Sequence, residues 1–185
     1  MKSIFFIACM SISCLLFAQQ KNTTTIPGQT SFYAELGGPG ILFSANIDRR
    51  FTKSAFGFGG RIGLGFVTGY DIVTTTSPTT QPYPYYNERQ RSVVTVPIQL
   101  NYILGKPNSV SALEIGAGVT FAGKKLNIFD DYYSNNKGSS VFGTASFMYR
   151  RMPKDGGFSW RLGFSPVFTG GYIQPSGAVS VGYNF

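Results

Sequence analysis

The feature that most constrains this chain is a two-residue alternation of apolar with small or polar residues, which recurs from residue 32 to residue 185. In the last segment Val179, Val181, Tyr183 and Phe185 alternate with Ser180, Gly182 and Asn184. Successive side chains of a β-strand point to opposite faces, so this alternation predicts strands with one apolar and one polar face. After residue 20, no stretch of the chain offers the roughly 20 consecutive apolar residues of a membrane-spanning helix.

Eight segments of the chain show this alternation. They are Phe32–Leu36, Phe43–Phe51, Phe58–Phe66, Val94–Tyr102, Leu113–Phe121, Val141–Arg150, Phe158–Ser165 and Val179–Phe185. The connections predicted to be short are Thr52–Ser54, Gly105–Asn108 and Pro153–Gly157, and those predicted to be long loops are Gly69–Arg89 and Gly123–Ser139. An even strand number with alternately short and long connections predicts an all-β, eight-stranded antiparallel transmembrane up-and-down β-barrel, with its short turns in the periplasm.

A soluble β-sandwich would show the same alternation, but the composition favours a sheet whose apolar face meets lipid. Charged residues make up 13% of the chain, whereas a soluble domain carries about a quarter. The polar positions are mostly Gly, Ser, Thr and Asn. Aromatic residues recur near strand ends, at Phe32, Phe51, Phe58, Tyr102, Tyr149, Trp160, Tyr183 and Phe185. Such a girdle is typical of barrels at a membrane interface.

The N-terminal segment has the organisation of a cleavable signal peptide. A lysine follows the initial methionine, Ile4–Phe17 is largely apolar, and Ala18 precedes two glutamines. This pattern predicts export and an outer-membrane location. We divide the chain into a signal peptide (1–18), a polar linker (19–29) and a barrel domain (30–185). Lipidation of Cys14 is the alternative, although the three residues before it match that signal poorly.

Several segments resemble the small outer-membrane β-barrel proteins of bacteria, of the OmpA/OmpX type. Those that resemble the opening hairpin and an inner strand are Tyr33–Gly40, Asn46–Phe51 and Val96–Tyr102. The segment Gly177–Phe185, with aromatic residues at Tyr183 and Phe185, resembles the C-terminal signal read by the barrel-assembly machinery. The resemblance covers nearly all of the chain after the signal peptide. It implies an eight-stranded barrel and brings no catalytic residues with it.

Strand parity turns five charged residues inward. They are Glu35, Asp48, Arg61, Glu114 and Arg161. Because they fall at similar depth, with Arg50 and Arg150 nearer the rim, we predict an ion-pair network inside the barrel. We interpret the network as structural, since unpaired charges in a narrow lumen would be costly. A transport or catalytic role is the alternative.

Above these charges the inward positions are small. They are Gly63, Gly65, Gly116, Gly118, Gly163 and Ser165. Small residues here could leave a shallow cavity open to the outside, but we favour the interpretation that they let the sheet curve tightly. An interior of eight strands is just wide enough for side chains to fill, so a water-filled pore is not expected.

The residue types argue against an enzyme. The chain has no histidine, the residue that most often transfers protons near neutral pH. Both cysteines, Cys9 and Cys14, lie in the signal peptide, so no thiol chemistry is expected in the exported chain. The pair Asp130-Asp131 lacks the ligand spacing of a calcium site. We therefore predict no catalytic residues, no cofactor and no bound metal.

The loop Thr74–Tyr86 is rich in Thr, Pro and Tyr. Its Tyr83, Tyr85 and Tyr86 are candidate surface contacts, because exposed tyrosines offer a large contact area at a low entropic penalty. A loop that is merely solvated is the alternative. The 16 Lys and Arg residues are scattered, which argues against nucleic acid and favours a phosphate-rich lipid surface.

Together these features predict a monomeric, non-enzymatic outer-membrane barrel with a closed lumen. It would act as a structural or surface-interaction protein through long extracellular loops. The alternative is small-ligand binding, or a narrow conduit, through the lumen. The expected partners are outer-membrane lipid, lipopolysaccharide and, during biogenesis, the barrel-assembly machinery. The sequence does not identify an extracellular partner.

Overall fold

The computed structural model describes residues 29–75, 85–106, 109–126 and 139–185, with the backbone alone at 69–75, 85–91 and 126. The strands are β1 (Thr30–Gly37), β2 (Phe43–Arg50), β3 (Gly57–Thr75), β4 (Tyr85–Gly105), β5 (Ser111–Leu126), β6 (Ser139–Arg151), β7 (Gly157–Phe164), β8 (Val167–Thr169), β9 (Tyr172–Gln174) and β10 (Gly177–Asn184). One 3₁₀ turn, Gly38–Gly40, lies between β1 and β2 and is called the lumen turn below. Within these ranges, no helix is long and apolar enough to cross a membrane.

Eight of the strands close into an antiparallel barrel. Each of β1 to β6 pairs with the next strand along the chain, and β7 then pairs with β10. Pairing of β10 with β1, from Ser31↔Asn184 to Gly37↔Ala178, completes the ring. Closure leaves no free edge on the ring, which is what a sheet needs in lipid. The predicted eight-stranded barrel is confirmed.

The predicted loops are shorter than expected, because the strands extend into them. Gly69–Arg89 was predicted to be a loop, but Gly69 pairs with Arg91 and Thr75 with Tyr85. Gly123–Ser139 was also predicted to be a loop, yet β5 runs to Leu126. The prediction for Gly69–Arg89 was wrong because the Ile, Val, Thr and Tyr residues at its two ends favour strands. Continuing the ladder also satisfies their backbone groups.

A small hairpin, which was not predicted from the sequence, lies between the last two barrel strands, β7 and β10. After β7 the chain bends at Ser165-Pro166, where Ala145 N donates to Pro166 O at 3.1 Å. β8 then continues the pairing with β6, and β9 folds back on β8. The turn between them is Gly170-Gly171, with φ of 56° and 87°. A Gly-Gly pair between two strand-like segments is a known hairpin signal. The sequence therefore contained the information that predicts this turn.

The outside of the barrel is apolar. Leu64, Leu100 and Phe58 are 63%, 62% and 60% exposed. The exposed charged side chains that the structure describes lie at strand ends or in connections: Arg49, Lys53, Lys106, Lys124, Lys125, Arg151, Lys154 and Asp155. The buried faces are mostly polar. A soluble sandwich would bury its apolar faces instead, so the pattern is that of a membrane barrel.

The two ends of the barrel differ in their connections. Residues 51–56, 106–110 and 152–156 join strands at what we call the short-turn end. The opposite end, called the loop end, carries the lumen turn, the β3–β4 and β5–β6 connections and the β8–β9 hairpin. Short and long connections therefore alternate as predicted, except that the link between β1 and β2 at the loop end is compact.

Candidate functional site: the interior of the barrel

The interior holds a group of seven buried charged side chains. They are Glu35, Asp48, Arg50, Arg61, Glu114, Arg150 and Arg161, and each is at most 3% exposed. All lie on strands, at positions whose neighbours in sequence are less buried, as the two-residue period requires. Four arginines face three carboxylates, so the group carries a formal excess of one positive charge.

The ion pairs form one alternating series across the lumen. Its order is Arg50, Asp48, Arg150, Glu114, Arg161, Glu35, Arg61. After the first pair, the N–O distances are 2.9, 3.1, 3.1, 2.8 and 3.2 Å. Every carboxylate therefore lies between two arginines. Such pairing is what compensates the desolvation of buried ions.

Neutral side chains join this series to the barrel wall. Asn101 Nδ2 donates to Asp48 and to Glu114, both at 3.3 Å. The Asn101 Oδ1 atom accepts a hydrogen bond from Arg50 at 2.6 Å. At the far side, Arg161 Nε donates to Ser180 Oγ at 2.8 Å. These bonds hold Arg50, Arg161 and the carboxylates against the barrel wall.

Tyr33 contacts two of the arginines. The guanidinium carbon of Arg161 lies 3.5 Å from the centre of the Tyr33 ring. The Tyr33 hydroxyl accepts a hydrogen bond from Arg61 Nη1 at 3.1 Å. The ring face attracts the Arg161 cation, so one aromatic side chain positions both arginines.

The lumen turn lies across the interior on the loop-end side of the charges. Its three residues are buried. Thr95 Oγ1 donates to Gly40 O at 3.0 Å, and Thr120 Oγ1 donates to Pro39 O at 2.6 Å. Gly38 adopts a φ of 69°, a conformation that glycine tolerates best. Two hydroxyls on the facing wall therefore hold the turn inside the barrel.

An apolar cluster occupies the short-turn end of the interior. Ile103, Ala112 and Met152 are buried there, and Ala55 and Phe56 from the β2–β3 connection pack against them. The charged series thus has a polar turn on one side and an apolar cluster on the other.

The inward glycines do not border empty space. A Cβ atom added at Gly63 would collide with Asn46 Oδ1. One added at Gly116 would lie 2.6 Å from Ser146 Oγ. Both approaches are too close for non-bonded atoms, so at Gly63 and Gly116 a neighbouring side chain already occupies the place of the missing Cβ.

The five predicted lumen charges, Glu35, Asp48, Arg61, Glu114 and Arg161, lie together in the one series. Arg50 and Arg150, which were predicted to lie nearer the rim, are buried and belong to the same series. Tyr33 and Asn101 were not predicted as partners of these charges, although strand parity alone would have turned both inward.

The remaining predicted residues are placed as follows. Tyr183 and Phe185 lie on the outer side of β10 and beyond its end, 53% and 37% exposed, with ring centres 5.1 Å apart. Tyr83 lies outside the described residues, as does Asp130-Asp131. The backbones of Tyr85 and Tyr86 belong to β4, so the predicted contact loop Thr74–Tyr86 is strand at both of its ends. In the described ranges, no group of three or more potential metal-ligating side chains occurs.

A solved structure with a similar fold is the crystal structure of the N-terminal β-barrel domain of OprF from Pseudomonas aeruginosa. The likeness has a TM-score of 0.54 and covers 86% of this chain and 99% of that one, with 10% sequence identity. At this identity the likeness concerns the fold alone, and it confirms the predicted small β-barrel architecture. No family model matches the chain. No curated protein matches it either.

Proposed function

We propose that this chain is an integral outer-membrane barrel with a closed lumen, a structural or surface-contact protein and not an enzyme. The observation that carries the proposal is the filling of the interior. The charged series lies between the lumen turn (Gly38–Gly40) and the apolar cluster around Ile103 and Met152. In the described residues, each of these three layers places buried groups inside the barrel, which supports a closed lumen.

Opening a path would require breaking buried ion pairs. Arg161 bonds both Glu35 and Glu114, and Arg150 bonds both Asp48 and Glu114. Leaving one such charge without its partner costs about 3–5 kcal/mol. The side chains that crowd Gly63 and Gly116 also count against the alternative of a ligand cavity or conduit. Both arguments favour a scaffold that does not conduct.

Planar-bilayer recording tests the closed lumen. We expect the refolded protein to insert without stable conductance steps, while a large porin in the same bilayer conducts. A reproducible open level in the wild type would overturn the proposal. It would then favour the conduit alternative.

The outer-membrane location is proposed from the fold and the apolar outer face. The predicted signal peptide (1–18) and linker (19–29) lie almost entirely outside the described residues, so these boundaries remain predictions. Expression of the whole chain in a Gram-negative host, followed by membrane separation and N-terminal sequencing, tests both. Recovery in the inner-membrane or soluble fraction would contradict the location.

The surface-contact role is proposed for the tip of the β3–β4 hairpin. Tyr85 pairs with Thr75 and Tyr86 with Thr74 at the loop end of the barrel. Replacing Tyr83, Tyr85 and Tyr86 with Thr retains strand propensity and removes the rings. We expect weaker crosslinking of the barrel to lipopolysaccharide or neighbouring proteins on whole cells. Unchanged crosslinks would refute the contact role.

Tyr183 and Phe185 are proposed as the signal for the barrel-assembly machinery. Both rings lie outside the barrel wall, where another protein could reach them. We expect Phe185→Ala to lower assembly in cells but to leave refolding of the purified protein in detergent unchanged. Equal loss in both settings would point to a folding defect instead.

A further inference from the structure

We propose that the barrel interior binds one small inorganic anion, of the size and charge of chloride, at Arg61. The first observation is the charge excess. In the interior that the structure describes, four buried arginines face three buried carboxylates. A buried ion without a counterion is strongly disfavoured. One bound anion would make the interior neutral.

The geometry of the series indicates where the anion would lie. The series begins and ends on an arginine, so the excess charge belongs to one of its ends. Arg50, at one end, also donates to Gly57 O at 3.0 Å and to Asn101 Oδ1. Arg61, at the other end, uses Nη1 for Tyr33 and Glu35. Its Nε and Nη2 are buried and have no hydrogen-bond partner in the described structure.

The strand neighbours of Arg61 are already engaged. Asp48 is its cross-strand partner on β2, but that carboxylate bonds Arg50 and Arg150. Gln99 is its partner on β4, but the Gln99 amide bonds Thr144 and Ser146. The three N–H donors on Nε and Nη2 of this buried guanidinium have no acceptor in the described structure, so they are available to an anion.

A water molecule is the competing occupant. Glu35 Oε1 and Asn46 Oδ1 are also buried without partners, and a water could bridge one of them to Arg61. Water would satisfy the hydrogen bonds but leave the positive charge uncompensated. The two occupants therefore differ in their dependence on the anion that is supplied.

Urea unfolding of the refolded barrel, followed by the fluorescence of Trp160, distinguishes them. Sodium chloride is compared with sodium gluconate at equal ionic strength, because gluconate is too large for the filled interior. An anion bound only by the folded state raises the folded-to-unfolded ratio about elevenfold at ten times its Kd. We expect a saturable increase with chloride in the wild type and none in Arg61→Gln. The control Arg49→Gln, at an exposed position, should retain it.

Equal stability of the wild type in chloride and gluconate would overturn the proposal. An equal chloride effect in Arg61→Gln would also overturn it. If Arg61→Gln does not fold, the wild type is refolded in sodium bromide and crystallised. The crystal structure then distinguishes an anion from a water at Arg61. We expect an anomalous bromide peak beside Arg61 Nε and Nη2. A peak at that place without anomalous signal would identify water and refute the anion.

Discussion

Replacing Glu114 with Gln should destabilise the barrel more than any other single change from a charged residue to its amide. Glu114 lies at the middle of the charged series and accepts hydrogen bonds from Arg150 at 3.1 Å and from Arg161 at 3.1 and 3.2 Å. Asn101 adds a fourth bond at 3.3 Å. The amide would keep one acceptor oxygen and turn an N–H group towards the arginines.

The expected magnitude follows from the two arginines that lose a charge partner. Removing one member of a buried ion pair costs about 3–5 kcal/mol, because the remaining charge stays buried. Arg150 retains Asp48 and Arg161 retains Glu35, so we expect the lower part of this range. A loss of about 3 kcal/mol lowers the folded-to-unfolded ratio on the order of a hundredfold.

The assay is equilibrium unfolding in urea of protein refolded into lipid vesicles, followed by the single tryptophan, Trp160. The matched control is Asp155→Asn, the same chemical change at an exposed position in the short turn before β7. Exposed charges contribute little, so the control should stay within about 0.5 kcal/mol of the wild type. Equal free energies of unfolding for Glu114→Gln and Asp155→Asn would refute the claim that the series stabilises the fold.

Three further changes separate the lipid face, the interior wall and the lumen turn in the same unfolding assay. Leu64→Arg, on the lipid face, should cost about 2–4 kcal/mol if Leu64 lies near the membrane midplane, and a cost below about 1 kcal/mol would contradict that placement. Gly63→Ala should destabilise by about 1–3 kcal/mol through its collision with Asn46, and unchanged stability would mean that the interior has room there. Thr120→Val should cost about 1–3 kcal/mol because it leaves Pro39 O buried without its donor, and a neutral result would show that the turn is held by other contacts.

The strand faces could be predicted from the sequence because they depend only on local parity. Val179 and Val181 face out and Ser180 faces in whatever the rest of the chain does, since the period of a strand is two residues. The same rule turned Glu35, Glu114 and Arg161 inward. The strands were harder to predict at the loop end. There, the many turn-forming residues between β3 and β4 hid the pairing of Gly69–Thr75 with Tyr85–Arg91.

The partners of these charges could not be predicted, because they depend on closure of the ring. Glu35 and Arg161 are 126 residues apart and meet only when β10 pairs with both β1 and β7. Strand tilt and stagger then decide which inward residues come within reach of one another, as Arg150 does of Asp48 and Glu114. A linear count along each strand contains no information about that stagger.

The sequence by itself determined an apolar outside, a polar inside and eight strands, because each is a property of neighbouring residues. Only the tertiary structure decided that the charges form one series ending on Arg61, and that Gly38–Gly40 folds into the interior. Both depend on distances across the lumen, where residues far apart in the chain compete for the same partners. Among the described residues, that competition leaves Nε and Nη2 of Arg61 without an acceptor.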